Sequence, residues 1–340
     1  METPSDPINP TDIDEIIQVL IERLKATYVF PDIAEQICHV LEKNLAQGTF
    51  NDITQPETFA QILTEQIQSI NHDEHLRVRW SDAELPEQND SLLRDPAYFE
   101  ELRQQAELDN FGIHKAERLP GNVGYLDIHR FHRPEWGAET AVAAMNFLAN
   151  TSALIIDLRQ CGGGSPEMVA LISSYLFDSE PVHLNSLYWR NQDRTHQYWT
   201  LPYVPGKRYP DKPVYVLTSN YTFSGGEEFA YNLKTRQRAI LVGETTHGGA
   251  HPGSVYRLQA HFEVFIPNGR AINPITRDNW EGKGVIPHIQ APKDQAFQIA
   301  YRKALQLLLN EIGTPTTPAF KLLAEEVGKA LEQLDSENPA

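Results

Sequence analysis

Apolar residues recur with helical spacing through the first seventy positions of the chain. They begin just after Asp12, which fits an N-cap, and follow an i, i+3, i+4 pattern at Ile13, Ile16, Ile17, Leu20, Ile21 and Leu24. Pro31 interrupts this run, and two further amphipathic runs follow at 33–45 and 59–70. The pattern predicts a helical N-terminal domain over residues 1–75.

The pattern changes after residue 75. Residues 76–80 alternate apolar and basic side chains, as a half-buried strand does, and the polar stretch 81–95 indicates a loop. From residue 121 onward, short apolar runs alternate with helical ones. This predicts strands at 123–128, 153–158, 214–217 and 239–242, helices at 140–148, 166–176 and 227–233, and a hairpin arm at 262–266. Such alternation is typical of an α/β fold with a mostly parallel, covered sheet, here over residues 76–312. Two more helical runs, 295–309 and 320–334, end the chain, and residues 313–340 form a predicted helical tail.

Composition and charge narrow the functional classes. Hydrophobic residues make up 41% of the 340 residues, which is enough for a sizeable core. The formal net charge of −17 argues against nucleic acid and against an anionic membrane surface, because both need basic protein surfaces. No apolar run is long enough for a membrane span, and the first ten residues lack the pattern of a secretory signal. Cys38 and Cys161 form no metal or redox motif. We therefore expect a cytoplasmic protein without cofactor or metal, and leave assembly into a homo-oligomer open.

A serine between a predicted strand and a predicted helix is the strongest chemical signal. Ser224 follows the 214–217 strand and precedes Gly225 and Gly226, so a turn there exposes its hydroxyl. The backbone N–H groups at the start of the next helix can face an oxyanion. Only half of the G-x-S-x-G hydrolase pattern is present, because Thr222 occupies the place of its first glycine. The spacing suggests a nucleophile for acyl transfer.

Other polar segments are weaker signals when each is taken alone. The glycine run at 162–164 leads from a strand to a helix and could donate N–H groups to an oxyanion, or form only a tight turn. His75 follows Asp73 and Glu74 and offers a base, Glu281 offers a carboxylate in a loop that contains glycines, and the 245–253 loop carries two histidines. Taken alone, each of these three segments fits an ordinary surface loop better than a functional site. None has the spacing of a metal motif such as H-E-x-x-H.

Taken in chain order, these segments resemble peptidase family S41, which includes the C-terminal processing proteases, the tricorn protease core and the interphotoreceptor retinoid-binding protein repeats. The resemblance extends over residues 28–289. It rests on Asp157-Leu158-Arg159 with the following glycines, Leu217-Thr218-Ser219, Thr222-Phe223-Ser224-Gly225-Gly226-Glu227-Glu228, Val242-Gly243-Glu244-Thr245-Thr246 and Gly284-Val285-Ile286-Pro287. Residues 119–126 and 270–274 look most like the retinoid-binding-protein-like branch. The resemblance implies a crotonase/ClpP-like spiral core of ββα units behind the helical N-terminal part.

The resemblance also implies roles for particular residues. Ser224 matches the family nucleophile, His75 the general base of the tricorn-like branch, and Glu281 the glutamate that orients the base there. Backbone N–H groups of Gly225 and of Gly163 or Gly164 match the oxyanion hole. These roles imply a serine peptidase that acts on peptide or protein substrates.

Four departures from the family pattern stand out. Glu74 occupies the position of a second catalytic serine, and Gly249 the position where processing proteases carry an activating lysine, so a Ser–Lys dyad is not expected. His288 replaces the aspartate of a G-V-x-P-D element. The segment 76–122 is also too short to hold the PDZ module of the processing proteases.

Two other functions remain open at this point. A binding module for an apolar ligand such as a retinoid or lipid fits the missing lysine and the missing PDZ module, although a binder has no need of the Ser224, His75 and Glu281 set. A crotonase-like acyl-CoA enzyme would share the oxyanion hole. The acidic composition offers no evident site for the CoA phosphates.

Overall fold

The computed structural model describes residues 8–87 and 95–337. Its helices are α1 (Pro10–Thr27), α2 (Pro31–Ala46), α3 (Pro56–Gln68), α4 (Pro96–Leu108), α5 (Pro134–Leu148), α6 (Pro166–Leu176), α7 (Gly225–Thr235), α8 (Lys293–Ile312) and α9 (Pro318–Glu337). Its strands are β1 (Arg77–Trp80), β2 (Ile113–Leu119), β3 (Val123–Ile128), β4 (Ala153–Asp157), β5 (His183–Trp189), β6 (Arg194–Trp199), β7 (Val214–Thr218), β8 (Ile240–Gly243), β9 (Gly253–Gln259), β10 (Phe262–Pro267), β11 (Gly269–Ile272) and β12 (Ile289–Gln290).

The chain packs as two compact units, each built from separate segments. Unit 1 comprises residues 1–104, 186–196 and 249–272, and unit 2 comprises residues 105–185, 197–248 and 273–340. The sequence analysis divides the chain differently, into three successive domains. This division, 1–75, 76–312 and 313–340, stays a prediction.

Unit 1 contains the predicted N-terminal helices. Each of α1, α2 and α3 begins with a proline, whose fixed φ suits the first turn and whose missing N–H costs no helical hydrogen bond there. Asn9, and not Asp12, caps α1, because its side chain accepts from the Asp12 amide at 2.9 Å. The three helices share one apolar core with the antiparallel sheet β1-β10-β9. Phe59 of α3 makes edge-on contacts with Phe262 of β10 and with Phe50 in the turn after α2, so it connects α3 to the sheet.

Unit 2 is built on a six-stranded sheet in the order β12-β8-β7-β4-β3-β2. In this sheet, β3, β4, β7, β8 and β12 run parallel to one another, and only the β2–β3 pair is antiparallel. Both β4 and β7 are buried at every position, as expected for strands covered on both faces. Helices α8 and α9 share a core with the strands. Helix α6 packs between α5 and α7, and α5 and α7 also contact strands of the sheet. The prediction of a mixed α/β fold with a helical N-terminal region is confirmed.

Several elements are absent from the sequence prediction. Strands β5 and β6 have no clear alternation, and β6 is largely exposed, so hydrophobic period gives little signal there. Helix α4 has a weak apolar face and ends in Leu108, which is 90% exposed. Of the predicted loop at 81–95, residues 88–94 lie outside the described residues. Among the helices described, none combines the length and the apolar character that crossing a bilayer requires.

The parallel strands of unit 2 determine where its chemistry can lie. The carboxyl ends of β4 and β7 are neighbours and lead into the loops before α6 and α7. In sheets of this kind, functional groups gather at such ends.

Candidate active site

Ser224 lies at the junction between the β7 loop and α7, where it is the N-cap residue. Its backbone has φ 52° and ψ −118°, a left-handed conformation that is costly for any residue with a β-carbon. This geometry is that of a nucleophile elbow, in which a sharp turn between strand and helix presents the serine side chain. Ser224 therefore lies at a strand-to-helix turn, as the sequence predicts, and the structure adds that its backbone is strained.

A fully buried carboxylate holds this turn in place. Glu227 accepts a hydrogen bond from the Ser224 amide at 2.9 Å, from the Thr246 hydroxyl at 2.5 Å and from the Gly248 amide at 2.7 Å. Because all three partners are donors, an acceptor-only carboxylate satisfies them at once. Glu227 thus connects the serine turn to the loop that follows β8.

The glycine run after β4 packs directly against the serine turn. Gly163 and Gly164 have φ of 96° and 135°, and a β-carbon on Gly163 would lie 2.7 Å from the β-carbon of Ser224. A β-carbon on Gly164 would lie 2.1 Å from the Phe131 carbonyl oxygen. Only glycine permits this approach to the serine turn.

Two amide groups beside Ser224 are available to a ligand. The N–H groups of Gly164 and Gly225 donate no hydrogen bond to any of the residues that the structure describes. The two glycines are in close contact, since a β-carbon on Gly225 would lie 2.8 Å from the Gly164 nitrogen. Gly225 is also the first residue of α7, whose N-terminus favours negative charge. This pair is suited to receive an oxyanion.

Glu281 belongs to the same unit and lies in a loop connected to Glu227. The Gly282 amide donates to the Gly248 carbonyl at 2.8 Å, and the Val285 amide donates to the Thr246 hydroxyl at 2.6 Å. Gly248 and Thr246 are the two loop partners of Glu227. Nearby, Trp280 is buried against Tyr231 of α7, with ring centroids 5.4 Å apart. Unit 2 therefore gathers Ser224, the glycine amides and the Glu281 loop in one network.

His75 lies in unit 1, in the turn before β1. Its amide donates to the carboxylate of Asp73 at 3.1 Å, and its ring packs against Phe265 with centroids 5.7 Å apart. Asp73 is completely buried and also accepts from the Tyr28 hydroxyl and from Nδ1 of His251, both at 2.9 Å. The carboxylate thus fixes the backbone that carries His75.

The Asp73–His251 pair is a buried ion pair inside unit 1. Burial alone would raise the pKa of Asp73, but the hydrogen bond and charge of His251 hold it below the usual range. Phe30 packs edge-on against the His251 ring at 5.1 Å, which helps to hold its orientation. Sequence reasoning left the 245–253 loop without a role. Only the pairing of two distant segments reveals what His251 does.

Family models match both the N-terminal region and the core of this chain. The family model for peptidase family S41 matches residues 122–291, and the model for the N-terminal domain of peptidase S41 in eukaryotic IRBP matches residues 10–111. The chain belongs to peptidase family S41.

Named members of S41 resemble this chain over part of their own length. It is 25% identical over 228 residues to the carboxyl-terminal-processing protease of Synechocystis sp., covering 63% of this chain and 50% of that protein. It is 32% identical over 102 residues to the tail-specific protease of Haemophilus influenzae, covering 28% and 13%. The chain thus spans at most half the length of these two relatives. The solved structure of mature CPAF has a TM-score of 0.58 at 13% identity, covering 89% of this chain and 99% of that one, which is a likeness of fold.

Glu228, the residue after Glu227, is a second buried glutamate of α7. Burial raises the pKa of Glu228 from 4.5 to about 7, and the charge of Glu167 adds to this. A raised pKa means that the folded state holds this proton more tightly than the unfolded state. The associated stability is present below about pH 4.5 and is lost as pH rises through about 7.

We expect Glu228→Gln to remove the loss of stability that the wild type shows as pH rises through about 7. Above pH 7 the variant should be more stable than the wild type by about 3 kcal/mol, because the amide needs no proton to stay neutral. Urea unfolding between pH 4 and 8 measures the difference. Glu139→Gln, at an exposed position of α5, should keep the wild-type slope. An unchanged slope in Glu228→Gln would show that this carboxyl group does not take up the proton.

Proposed function

We propose that this S41 chain is a serine peptidase with Ser224 as nucleophile. The observation that carries the proposal is the strained Ser224 turn at the start of α7 with the free amides of Gly164 and Gly225 beside it. An activated serine and an oxyanion site are what acyl transfer requires. The names of the S41 relatives, carboxyl-terminal-processing and tail-specific proteases, favour a peptide or protein substrate.

In the proposed reaction, the Ser224 hydroxyl attacks the carbonyl carbon of the scissile peptide bond. His75 accepts the hydroxyl proton and later gives it to the leaving amine. The amides of Gly164 and Gly225 stabilise the negative oxygen of the tetrahedral intermediate. In a characterised enzyme, removing one such donor raises the barrier by about 3–4 kcal/mol. In the second half of the reaction, His75 accepts a proton from a water molecule that attacks the acyl-enzyme carbonyl. The bond from that carbonyl to the Ser224 oxygen then breaks, and His75 returns the proton to this oxygen.

Glu281 is proposed to orient His75 and to stabilise its imidazolium form. Asp73 supports the same histidine from within unit 1, because it binds the His75 amide. The departures from the family pattern do not remove any group that these steps use. Glu74 is paired with Arg77 at 3.6 Å, and His288 accepts from the Leu241 amide at 3.0 Å, so both have structural partners.

A fluorophosphonate probe tests the proposal directly, since it reacts covalently with activated serines. We expect one label per chain, located on Ser224 by peptide mass analysis and absent in Ser224→Ala. Labelling should also be lost in His75→Ala and kept in Ser69→Ala, which changes an exposed serine at the end of α3. Persistent labelling of His75→Ala would exclude His75 as the base. A wild type that takes no label, and carries an extractable lipid instead, would favour the binding module.

A further inference from the structure

Two short segments of unit 2 carry both the groups proposed for acyl transfer and a pair of glutamates. Gly164 lies three residues before Glu167, in the first turn of α6. The Glu228 amide donates to the Ser224 carbonyl oxygen at 2.9 Å, so these two residues lie one helical turn apart, about 5.4 Å along the axis. A substrate whose carbonyl group reaches Ser224 and Gly164 therefore brings its neighbouring side chains to these two carboxyl groups.

The two carboxyl groups act on each other and lack a counter-charge. Glu167 is exposed, whereas Glu228 is only 5% exposed. Burial raises the pKa of Glu228, and the negative charge of Glu167 raises it further. Within residues 8–87 and 95–337, no cation contributes to the pKa of Glu228. The pair thus has a solvent side and a buried side, both acidic.

Buried polar atoms without partners lie beside the Glu228 carboxyl group. Oε1 of Glu228 has no hydrogen bond to any described residue, and neither do the side-chain oxygen and nitrogen atoms of Asn185 and Asn232. Both asparagines are completely buried, and their amides oppose the rise in the pKa of Glu228, which places them close to it. Because buried polar groups are normally satisfied, this group of side chains indicates a bound partner with hydrogen-bond donors.

A cation with several N–H donors suits these acceptors. Glu228, Asn185 and Asn232 together offer a carboxylate and two amide oxygens, while a guanidinium carries five donors and an ammonium three. An opposite charge also favours the ionised form of a carboxyl group. Water would satisfy hydrogen bonds but would leave the repulsion between the two glutamates. A basic side chain satisfies the hydrogen bonds and balances the charge.

Tyr198, in β6, adds an aromatic side chain at the same place. Its hydroxyl donates to Oε1 of Glu167 at 3.4 Å. Burial, followed by the charges of Glu167 and Glu228, raises the pKa of Tyr198, so the hydroxyl keeps its proton. The Ser165 hydroxyl donates to Oε2 of Glu167 at 2.6 Å and holds that carboxylate from a second direction. The ring of Tyr198 can pack along the alkyl chain of a lysine or arginine, or face its charge.

We propose that Glu167, Tyr198 and Glu228 select substrates with a lysine or arginine next to the scissile bond. This inference rests on the proposed peptidase function and names its substrate class, basic peptides. The cation binds the two carboxylates, and the amides of Asn185 and Asn232 complete its hydrogen bonds. The formal net charge of −17 also favours the approach of basic peptides over acidic ones.

Cleavage of three matched peptides tests this specificity. They are identical except for one central residue, which is lysine, methionine or glutamate. We expect the wild type to cut beside the lysine, with a kcat/KM at least about tenfold above that for the methionine peptide, because a site with polar groups rejects an analogue that leaves them unpaired. Mass analysis of the products locates the cut. A wild type that prefers the methionine or the glutamate peptide would overturn the proposal.

Variants of the two glutamates show whether these residues cause the preference. Glu167→Gln and Glu228→Gln should each lower the ratio of kcat/KM for the lysine peptide to that for the methionine peptide by at least about tenfold. Glu167→Lys should reverse the order of the lysine and glutamate peptides. Glu139→Gln, at an exposed position of α5, should keep the wild-type ratio. An unchanged ratio in both glutamine variants would mean that other residues select the substrate.

Binding of the same peptides to Ser224→Ala separates this inference from the peptidase function. Fluorescence anisotropy should show that the lysine peptide binds at least about tenfold more tightly than the methionine peptide. Preferential binding of the lysine peptide, together with a wild type that cuts none of the three and takes no fluorophosphonate label, would contradict the peptidase function alone. Equal binding and equal cleavage of the three peptides would overturn the basic specificity alone.

Discussion

Replacing Ser224 with alanine is expected to lower the turnover of a peptide substrate by at least about a thousandfold. The methyl group cannot form the acyl-enzyme, and what activity remains must come from binding and from the Gly164 and Gly225 amides. We expect His75→Ala to lose a similar factor, because without a base the hydroxyl is a weak nucleophile. A quenched fluorescent peptide, selected with the wild type, measures kcat and KM for each variant.

The double variant Ser224→Ala/His75→Ala provides a sharper test. Residues that act as one unit are strongly non-additive, so the double variant should be no slower than the slower single variant. Glu281→Gln should lower kcat with little change in KM, since it is proposed to act on His75 and not on substrate. Losses that multiply in the double variant would mean that Ser224 and His75 act independently, and the proposed mechanism would then be wrong.

Glu227→Ala is expected to be the most destabilising single change near the candidate site. It leaves the Ser224 amide, the Gly248 amide and the Thr246 hydroxyl without their acceptor, all in a buried place. An unsatisfied buried donor costs about 1–3 kcal/mol, and new water or local relaxation offsets part of the sum. We therefore expect the free energy of unfolding to fall by about 3–5 kcal/mol, the cost of three unsatisfied donors less that relaxation.

The same change should also slow the chemistry. The left-handed backbone of Ser224 depends on the bond from its amide to Glu227, and a displacement of about 1 Å can cost about a hundredfold in rate. Glu227→Gln keeps the shape and one acceptor oxygen, so its effects on stability and on probe labelling should be smaller. Glu139→Ala, at an exposed position of α5, should change stability by less than about 0.5 kcal/mol. A fully stable and fully active Glu227→Ala would show that the carboxylate positions nothing.

Ser224 and Glu227 differ in how much of their role the sequence alone can predict. Ser224 was predicted because its signal is local, namely a strand, a serine, two glycines and a helix in immediate succession. Glu227 was part of the same motif, yet its function was not visible. Its partners Thr246 and Gly248 belong to a loop after another strand, and only the fold brings that loop to the carboxylate.

The histidines also differ in what the sequence alone can predict about them. The resemblance to S41 selected His75, and the sequence could add nothing about Asp73 beyond its proximity. That Asp73 pairs with His251 depends on a contact between segments 178 residues apart in the chain. No motif spacing encodes such a pair.

The sequence by itself determined the local structure of this protein: the amphipathic helices of the N-terminal region, the buried parallel strands, and the serine at a strand-to-helix turn. Hydrophobic period, proline and glycine act over a few residues, and their effect survives in almost any fold. Only the tertiary structure decided which loops meet. The closeness of the glycine amides to Ser224, the buried acceptor Glu227 and the Asp73–His251 pair all depend on how distant segments pack, and burial then sets their hydrogen bonds and charges.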